Sequence, residues 1–295
     1  MATEVLLPPA EMIDYVGSGS DLSTFQSIGA HFLENFKTLG GLKPHHKVLD
    51  VGCGIGRMAL PLTGYLNSQG SYEGFDIVPT GVDWCQQNIT PRFPNFHFQL
   101  ADVWNEFYHP AGHYRARAYR FPFASGTFDF AYLTSVFTHM LPRDLERYLG
   151  EVARVLKPGG RCLITFFLHS PDVAANIRDG SCQFKLPYRV GKPPRDIGIA
   201  PDYGDCQTET IEEPERVVAY EEQWVYDLFK TYGLNVDRPP TYGHWSGRKG
   251  PSFQDILCAT KTANVSVSKI ARRWLHLTPL REIAWRGLRK PLPKK

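Results

Sequence analysis

Asp50, Asp76, Asp102 and His139 stand where side chains can do chemistry, because each sits at or just past the end of a short apolar run. Asp50 lies in Lys47-Val-Leu-Asp-Val51, which leads directly into Gly52-Cys53-Gly54-Ile55-Gly56. Glycines so placed let the backbone turn tightly and approach a ligand before the next helix presents its N-terminus. The spacing G-x-G-x-G differs from the G-x-G-x-x-G of dinucleotide sites. A carboxylate at position 50 would also repel a pyrophosphate, whereas a ligand with an amino group would be received by it directly or through water. Asp76, twenty residues after Gly56, ends a second apolar run, where a carboxylate can accept bonds from both hydroxyls of a ribose. Ala101-Asp102 follows a third run and can receive an exocyclic amine. Taken singly, each acid is equally well a loop-solvating side chain, and the glycines a structural turn. Their order and spacing point to a site.

His139, in Ser135-Val-Phe-Thr-His-Met140, follows the fourth apolar run and is the candidate general base. Its competing role is a packed imidazole bonded to a backbone carbonyl. His169 is a second candidate, whereas His45, His46 and His109 fall in loops.

The elements that must position these groups alternate. Strands are predicted at Lys47–Val51, Tyr72–Ile77, Phe96–Leu100, Phe128–Ser135 and Arg161–Leu168, with helices at Met58–Leu66, Val82–Asn88 and Asp144–Val155. Such alternation predicts an α/β fold with a doubly wound, mostly parallel sheet covered on both faces. An N-terminal helix carries Phe25, Ile28, Phe32, Phe36 and Leu39 at three- and four-residue spacing behind a capping Asp21. Glu221–Tyr232 is a further helix, followed by a final strand pair at Leu234–Asp237 and Phe253–Thr260. Two stretches interrupt the rhythm: the aromatic and basic 104–122, and 169–220, rich in Pro, Gly and Asp. Three regions are expected, namely a helical lead-in over 1–45, a main domain over 46–262 with a cap insertion at 169–220, and a tail over 263–295.

With Phe121-Pro-Phe-Ala-Ser-Gly-Thr-Phe-Asp129 before the fourth strand and Arg154-Val-Leu-Lys-Pro-Gly-Gly160 before the fifth, the series resembles the class I S-adenosylmethionine-dependent methyltransferases over about residues 42–168. The resemblance implies a Rossmann-like sheet of seven strands, the last antiparallel, and S-adenosylmethionine as cofactor. It implies that the loop Asp50, Gly52, Cys53, Gly54 and Gly56 holds the methionine part and that Asp76 binds the ribose. Ile77 would lie on the adenine, Ala101, Asp102 and Val103 would hold its amine, and Thr134 would pass beneath the sulfonium. A hydroxyl of a small molecule or glycan is the expected acceptor, with His139 as base. The chain has Leu133-Thr-Ser-Val136 where amine-methylating relatives carry Asn-Pro-Pro-Tyr, which argues against nucleobase methylation.

Composition sets the bounds. The 295 residues are 42% hydrophobic and 21% charged, an ordinary globular balance. Residues 262–295 hold nine Lys/Arg against one Glu, so the tail carries +8 and the remainder −5. Trp274 and Trp285 lie on apolar stripes opposite basic faces, a pattern fit for an anionic membrane surface, the domain or a second subunit. The cysteines show neither C-x-x-C pairing nor zinc spacing and read as reduced thiols of a cytoplasmic protein; no metal is expected. A nicotinamide-dependent dehydrogenase, an RNA methyltransferase gripping with the tail, and a non-catalytic cofactor-binding module are the rival readings.

Overall fold

The structure, a computed structural model, describes residues 6–13, 21–190 and 206–262. The basic tail and its amphipathic segments lie outside the described residues. In chain order the strands are β1 (Lys47–Val51), β2 (Ser71–Asp76), β3 (Phe96–Leu100), β4 (Phe128–Leu133), β5 (Leu156–Phe166), β6 (Leu168–His169), β7 (Tyr188–Val190), β8 (Cys206–Thr208), β9 (Val218–Glu221), β10 (Leu234–Val236) and β11 (Asp255–Lys261). The helices are α1 (Ala10–Ile13), α2 (Leu22–Thr38), α3 (Ala59–Thr63), α4 (Pro79–Asn88), α5 (Pro142–Val155), α6 (Pro171–Asp179) and α7 (Glu222–Thr231).

Seven strands form the main sheet in the order β10-β11-β5-β4-β1-β2-β3. The pairs within β3-β2-β1-β4-β5 are parallel, and β11 runs antiparallel to both β5 and β10. The fold is therefore the expected Rossmann-like one. Because both faces are covered, β1 is buried from Val48 to Val51, with Leu49 and Val51 on one face and Val48 and Asp50 on the other. The first face packs against α5 and α7 through Leu145, Leu149, Val152, Val225 and Phe229. The second packs against α2, α3 and α4 through Phe36, Leu62, Val82 and Cys85. Asp21 caps α2 as expected, its carboxylate accepting from the N–H groups of Ser23 at 3.0 Å and Thr24 at 3.1 Å.

The structure departs from the sequence reading in three places. The fourth strand ends at Leu133, leaving Thr134 and Ser135 outside it. The fifth begins at Leu156 instead of Arg161, because Phe128 pairs with Leu156 across a register irregularity. The 169–220 insertion is more than loop: β6, β9, β8 and β7 form a second sheet, too short in each strand for periodicity to reveal. It hangs from Asp255, whose buried carboxylate accepts from the N–H groups of Leu168 and Gly243 and the indole N–H of Trp245, each at 2.7 Å.

The 104–122 stretch is clamped to α5. Glu151, fully buried, pairs with Arg154 at 2.5 Å and accepts from Phe121 N–H at 2.9 Å. Arg154 in turn donates to the carbonyls of Phe121 and Phe123. Among the described residues no helix is long and apolar enough to cross a membrane. Glu151→Ala would strand the Arg154 charge in the interior, so it should destabilise the protein by about 3–5 kcal/mol. Urea denaturation checks this, and a loss under about 1 kcal/mol would show that the pair is dispensable.

Candidate active site

The carboxyl ends of β1, β2, β3 and β4 meet at one edge, where open α/β sheets bind their ligands. After β1 the chain turns through Gly52, Gly54 and Gly56 at φ of +86°, +54° and +78°. At Gly52 glycine is required twice over, since a Cβ there would lie 2.5 Å from Val136 Cγ2. That contact brings the glycine loop against the segment following β4.

The N–H groups of this loop are used within the protein. Those of Gly52 and Cys53 donate to the Phe75 carbonyl at 2.9 and 3.1 Å, and that of Gly54 donates to Asp76 Oδ2 at 2.7 Å. A phosphate would find none of them to donate, whereas an ammonium group needs acceptors instead. Asp76 is buried at the end of β2 and also accepts from Val78 N–H at 2.9 Å. Burial pushes its pKa up, against the opposing effect of the bonds from Gly54, Val78 and Ile77. Ile77 follows it, half-buried against the core.

Asp50 is buried to 1% exposure. The hydroxyls of Tyr72 and Tyr132 donate to its Oδ2 at 2.6 and 2.8 Å, whereas Oδ1 has no hydrogen-bond partner. Burial raises its pKa to about 7, with the Tyr72 and Tyr132 bonds opposing and the nearby Asp76 charge adding to the rise. The carboxylate thus faces two tyrosines, a pairing the sequence reading did not foresee. Only the parallel register of β1 and β4, which sets Tyr132 opposite Asp50, makes this pairing visible.

Ala101, buried, donates its N–H to the Asp76 carbonyl at 2.8 Å and so ties the ends of β2 and β3. Asp102 and Val103 follow, but the Asp102 carboxylate is already engaged by His113, a residue missed from sequence. Thr134 is half-buried past the end of β4. Next to it Ser135 adopts φ +60°, a left-handed conformation uncommon for a side chain with a Cβ. It is held by Thr165 Oγ1, which accepts Ser135 N–H at 2.8 Å, and by Gln254, which donates to Ser135 Oγ at 2.6 Å. Gln254 lies 119 residues away, so no local pattern could announce this contact.

His139 ends a 3₁₀ turn, Phe137–His139. Its Nδ1 donates to the Glu215 carbonyl at 3.1 Å, which fixes the proton on Nδ1 and leaves Nε2 as an acceptor. The ring is water-accessible, and partial desolvation by its surroundings lowers its pKa. The Glu215 carboxyl lies in the same region, its pKa pushed up to about 7 by burial and by Asp144, with Arg115 opposing. His169 is half-buried in β6. Among the described residues no cluster of His, Cys, Asp and Glu could hold a metal ion, and all six cysteines are free thiols.

Residues 49–164 match the family described as methyltransferase domain. The O-methyltransferase cnsE of Penicillium expansum is 32% identical over 119 residues, covering 40% of this chain and 36% of that one. The sterol 24-C-methyltransferase erg6 of Schizosaccharomyces pombe is 30% identical over 137 residues, covering 46% and 32%. The matched part therefore spans about a third of the length of these curated relatives. A solved SAM-dependent methyltransferase from Aquifex aeolicus, 16% identical, superposes on 87% of this chain and all of its own with a TM-score of 0.49. Residues 49–164 thus form a methyltransferase domain of the S-adenosylmethionine-dependent class, with S-adenosylmethionine as the cofactor of that domain. The residues at the edge fit that molecule: the unpartnered buried oxygen of Asp50, the close approach at Gly52 and the inward-turned loop amides suit an ammonium-bearing ligand.

The pKa of Asp50 gives a test of its state. Between pH 4 and 7 the folded protein keeps a proton on Asp50 that the unfolded chain has released, so this group weakens the fold progressively as pH rises through that window. Asp50→Asn cannot ionise. Its unfolding free energy relative to the parent should therefore rise between pH 5 and 8 in urea titrations, and a constant difference would mean that Asp50 is ionised throughout.

Proposed function

We propose that the protein transfers a methyl group from S-adenosylmethionine to a hydroxyl of a small molecule or glycan, with His139 as general base. The observation that carries this reading is the tautomer of His139. Its Nδ1–H is spent on the Glu215 carbonyl, so Nε2 offers a lone pair just beyond the end of β4. Desolvation lowers its pKa, which favours the neutral imidazole that can accept a proton. A hydroxyl acceptor needs such a base, because it attacks far better as its proton leaves. The naming of one relative as an O-methyltransferase supports the same choice of acceptor atom.

When bound, the cofactor supplies an electrophilic methyl group on a sulfonium. The protein's part is to bind, orient and exclude water. In this reading Asp76 accepts the ribose hydroxyls, Ile77 covers the adenine, and Ala101, Asp102 and Val103 hold its amine. Gly52, Cys53, Gly54 and Gly56 receive the methionine part, with Asp50 behind them as a charge that an ammonium group favours. Thr134 lines the path beside the sulfonium. The left-handed Ser135, braced by Thr165 and Gln254, turns the chain from there towards His139.

Two variants separate cofactor binding from chemistry. Asp76→Ala removes a charged acceptor and should weaken calorimetric affinity for S-adenosylmethionine by roughly 1.5–3 kcal/mol. Unchanged affinity removes Asp76 from the site. His139→Ala should keep that affinity but lower methyl transfer about 10²-fold on a hydroxyl acceptor found by screening phenols and glycans with labelled cofactor. Normal turnover by this variant would assign His139 to structure.

A further inference from the structure

The chain between Asp102 and Arg115 forms a narrow finger. Val103 bridges Tyr114, Trp104 N–H donates to the Tyr114 carbonyl at 2.7 Å, and Tyr114 N–H donates to the Asp102 carbonyl at 3.0 Å. Further out, Asn105 and His109 exchange backbone bonds at 3.1 Å, while Asn105 Oδ1 accepts from Phe107 and Tyr108 N–H. On its return the finger passes so close to its outgoing strand that a Cβ at Gly112 would lie 2.4 Å from the Val103 carbonyl carbon. Only glycine fits there, and the next residue, His113, is thereby delivered onto Asp102.

His113 takes up most of the acceptor capacity of that carboxylate. Its backbone N–H donates to Oδ1 at 2.8 Å, and its ring Nδ1 lies 2.9 Å from both Oδ1 and Oδ2. An ionised carboxylate has about four lone-pair directions, so little more than one, on Oδ2, remains for another donor. Burial works against ionisation of Asp102, but the His113 bonds outweigh it and hold the pKa below the usual carboxylate range. Asp102 is therefore held as a pure acceptor in a fixed orientation.

We propose that His113 is the positioning residue that makes Asp102 select the amino edge of the cofactor's adenine and refuse a keto edge. This rests on the reading that Asp102 receives the adenine amine. An amine meets the free direction of Oδ2 as a donor, whereas a 6-keto oxygen would set two acceptors face to face, leaving both unsatisfied. His113, by fixing the direction of the carboxylate, turns a half-exposed acceptor into a discriminating contact.

The test is calorimetry on the full chain with S-adenosylhomocysteine and its 6-keto counterpart, S-inosylhomocysteine. The parent should favour the adenosyl ligand at least tenfold. His113→Leu should lose three- to tenfold in affinity for the adenosyl ligand and little for the inosyl ligand, narrowing the preference. His113→Asn, whose amide N–H can replace that of the ring, should restore both affinity and preference. If His113→Leu does not fold, His113→Gln, with its donor displaced by one bond, takes its place and should show the same loss. Asp102→Ala reports on the underlying reading, which fails if that variant binds as tightly as the parent. If Asp102→Ala is weakened but the His113 variants keep the parental preference, or lose both ligands equally, the role assigned to His113 is overturned.

Discussion

Three left-handed glycines set how closely the loop after β1 can lie against its neighbours, and the rest of the carboxyl edge is arranged around that closeness. Gly52 leaves room for Val136, Gly54 hands its N–H to Asp76, and Gly56 would drive a Cβ to 2.8 Å from Ile89. Gly81 in α4 answers from the other side, where a Cβ would lie 2.8 Å from the Gly54 carbonyl oxygen. The loop is thus wedged among β2, α4 and the segment after β4. Val136 and Ile89 could not keep their places if Gly52 and Gly56 carried side chains. Turning the amides towards β2 also selects the ligand, because a loop that spends its donors inside the protein can recognise a cation but not a phosphate.

Behind this loop two carboxylates are buried, and each has its proton affinity raised by that burial. Asp50 and Asp76 lie on adjacent strands, and the charge of Asp76 adds to the upward shift of Asp50. Each has a partial remedy. Tyr72 and Tyr132 supply two hydroxyl donors to one oxygen of Asp50, and backbone N–H groups supply Asp76. The Oδ1 of Asp50 has none. The raised pKa of Asp50 is the mark of this strain. A bound positive charge would relieve it electrostatically and favour the ionised form. The protonation state of the site and its occupancy are then two views of one equilibrium.

How much of this the sequence carried depends on the range of each interaction. The strand ends, the glycine loop and the helix behind each strand follow from local alternation, and their placement of Asp76 and Ala101 at the edge could be read directly. The direction of Asp50 was less legible. Alternation puts it on the face of Val48, away from Leu49 and Val51, but only the pairing with β4 shows that Tyr132 stands opposite. The contacts that trim the site were not legible at all. Gln254 on Ser135 and the Glu215 carbonyl on His139 join positions 119 and 76 residues apart. His113 on Asp102 spans only eleven, but depends on a finger whose turns are set by an asparagine side chain and a crowded glycine. The second sheet escaped for a different reason. Strands of two to four residues are shorter than a period-two pattern needs to declare itself.

The division of labour within the chain follows from where these late contacts originate. The glycine loop, Asp76 and Ala101 belong to the main sheet, whose register holds them irrespective of what is attached to it. His139 depends instead on the inserted segments. The proton position on His139 is set by a carbonyl in the turn between β8 and β9, so the second sheet decides whether the imidazole presents a base or a donor. That sheet is in turn suspended from Asp255, the first residue of β11, through Leu168 N–H. A change in the insertion that moved Glu215 would alter the chemistry at His139 while leaving the cofactor edge intact. The carboxyl edge of β1 to β4 is thus a property of the main sheet, and the setting of His139 a property of the second.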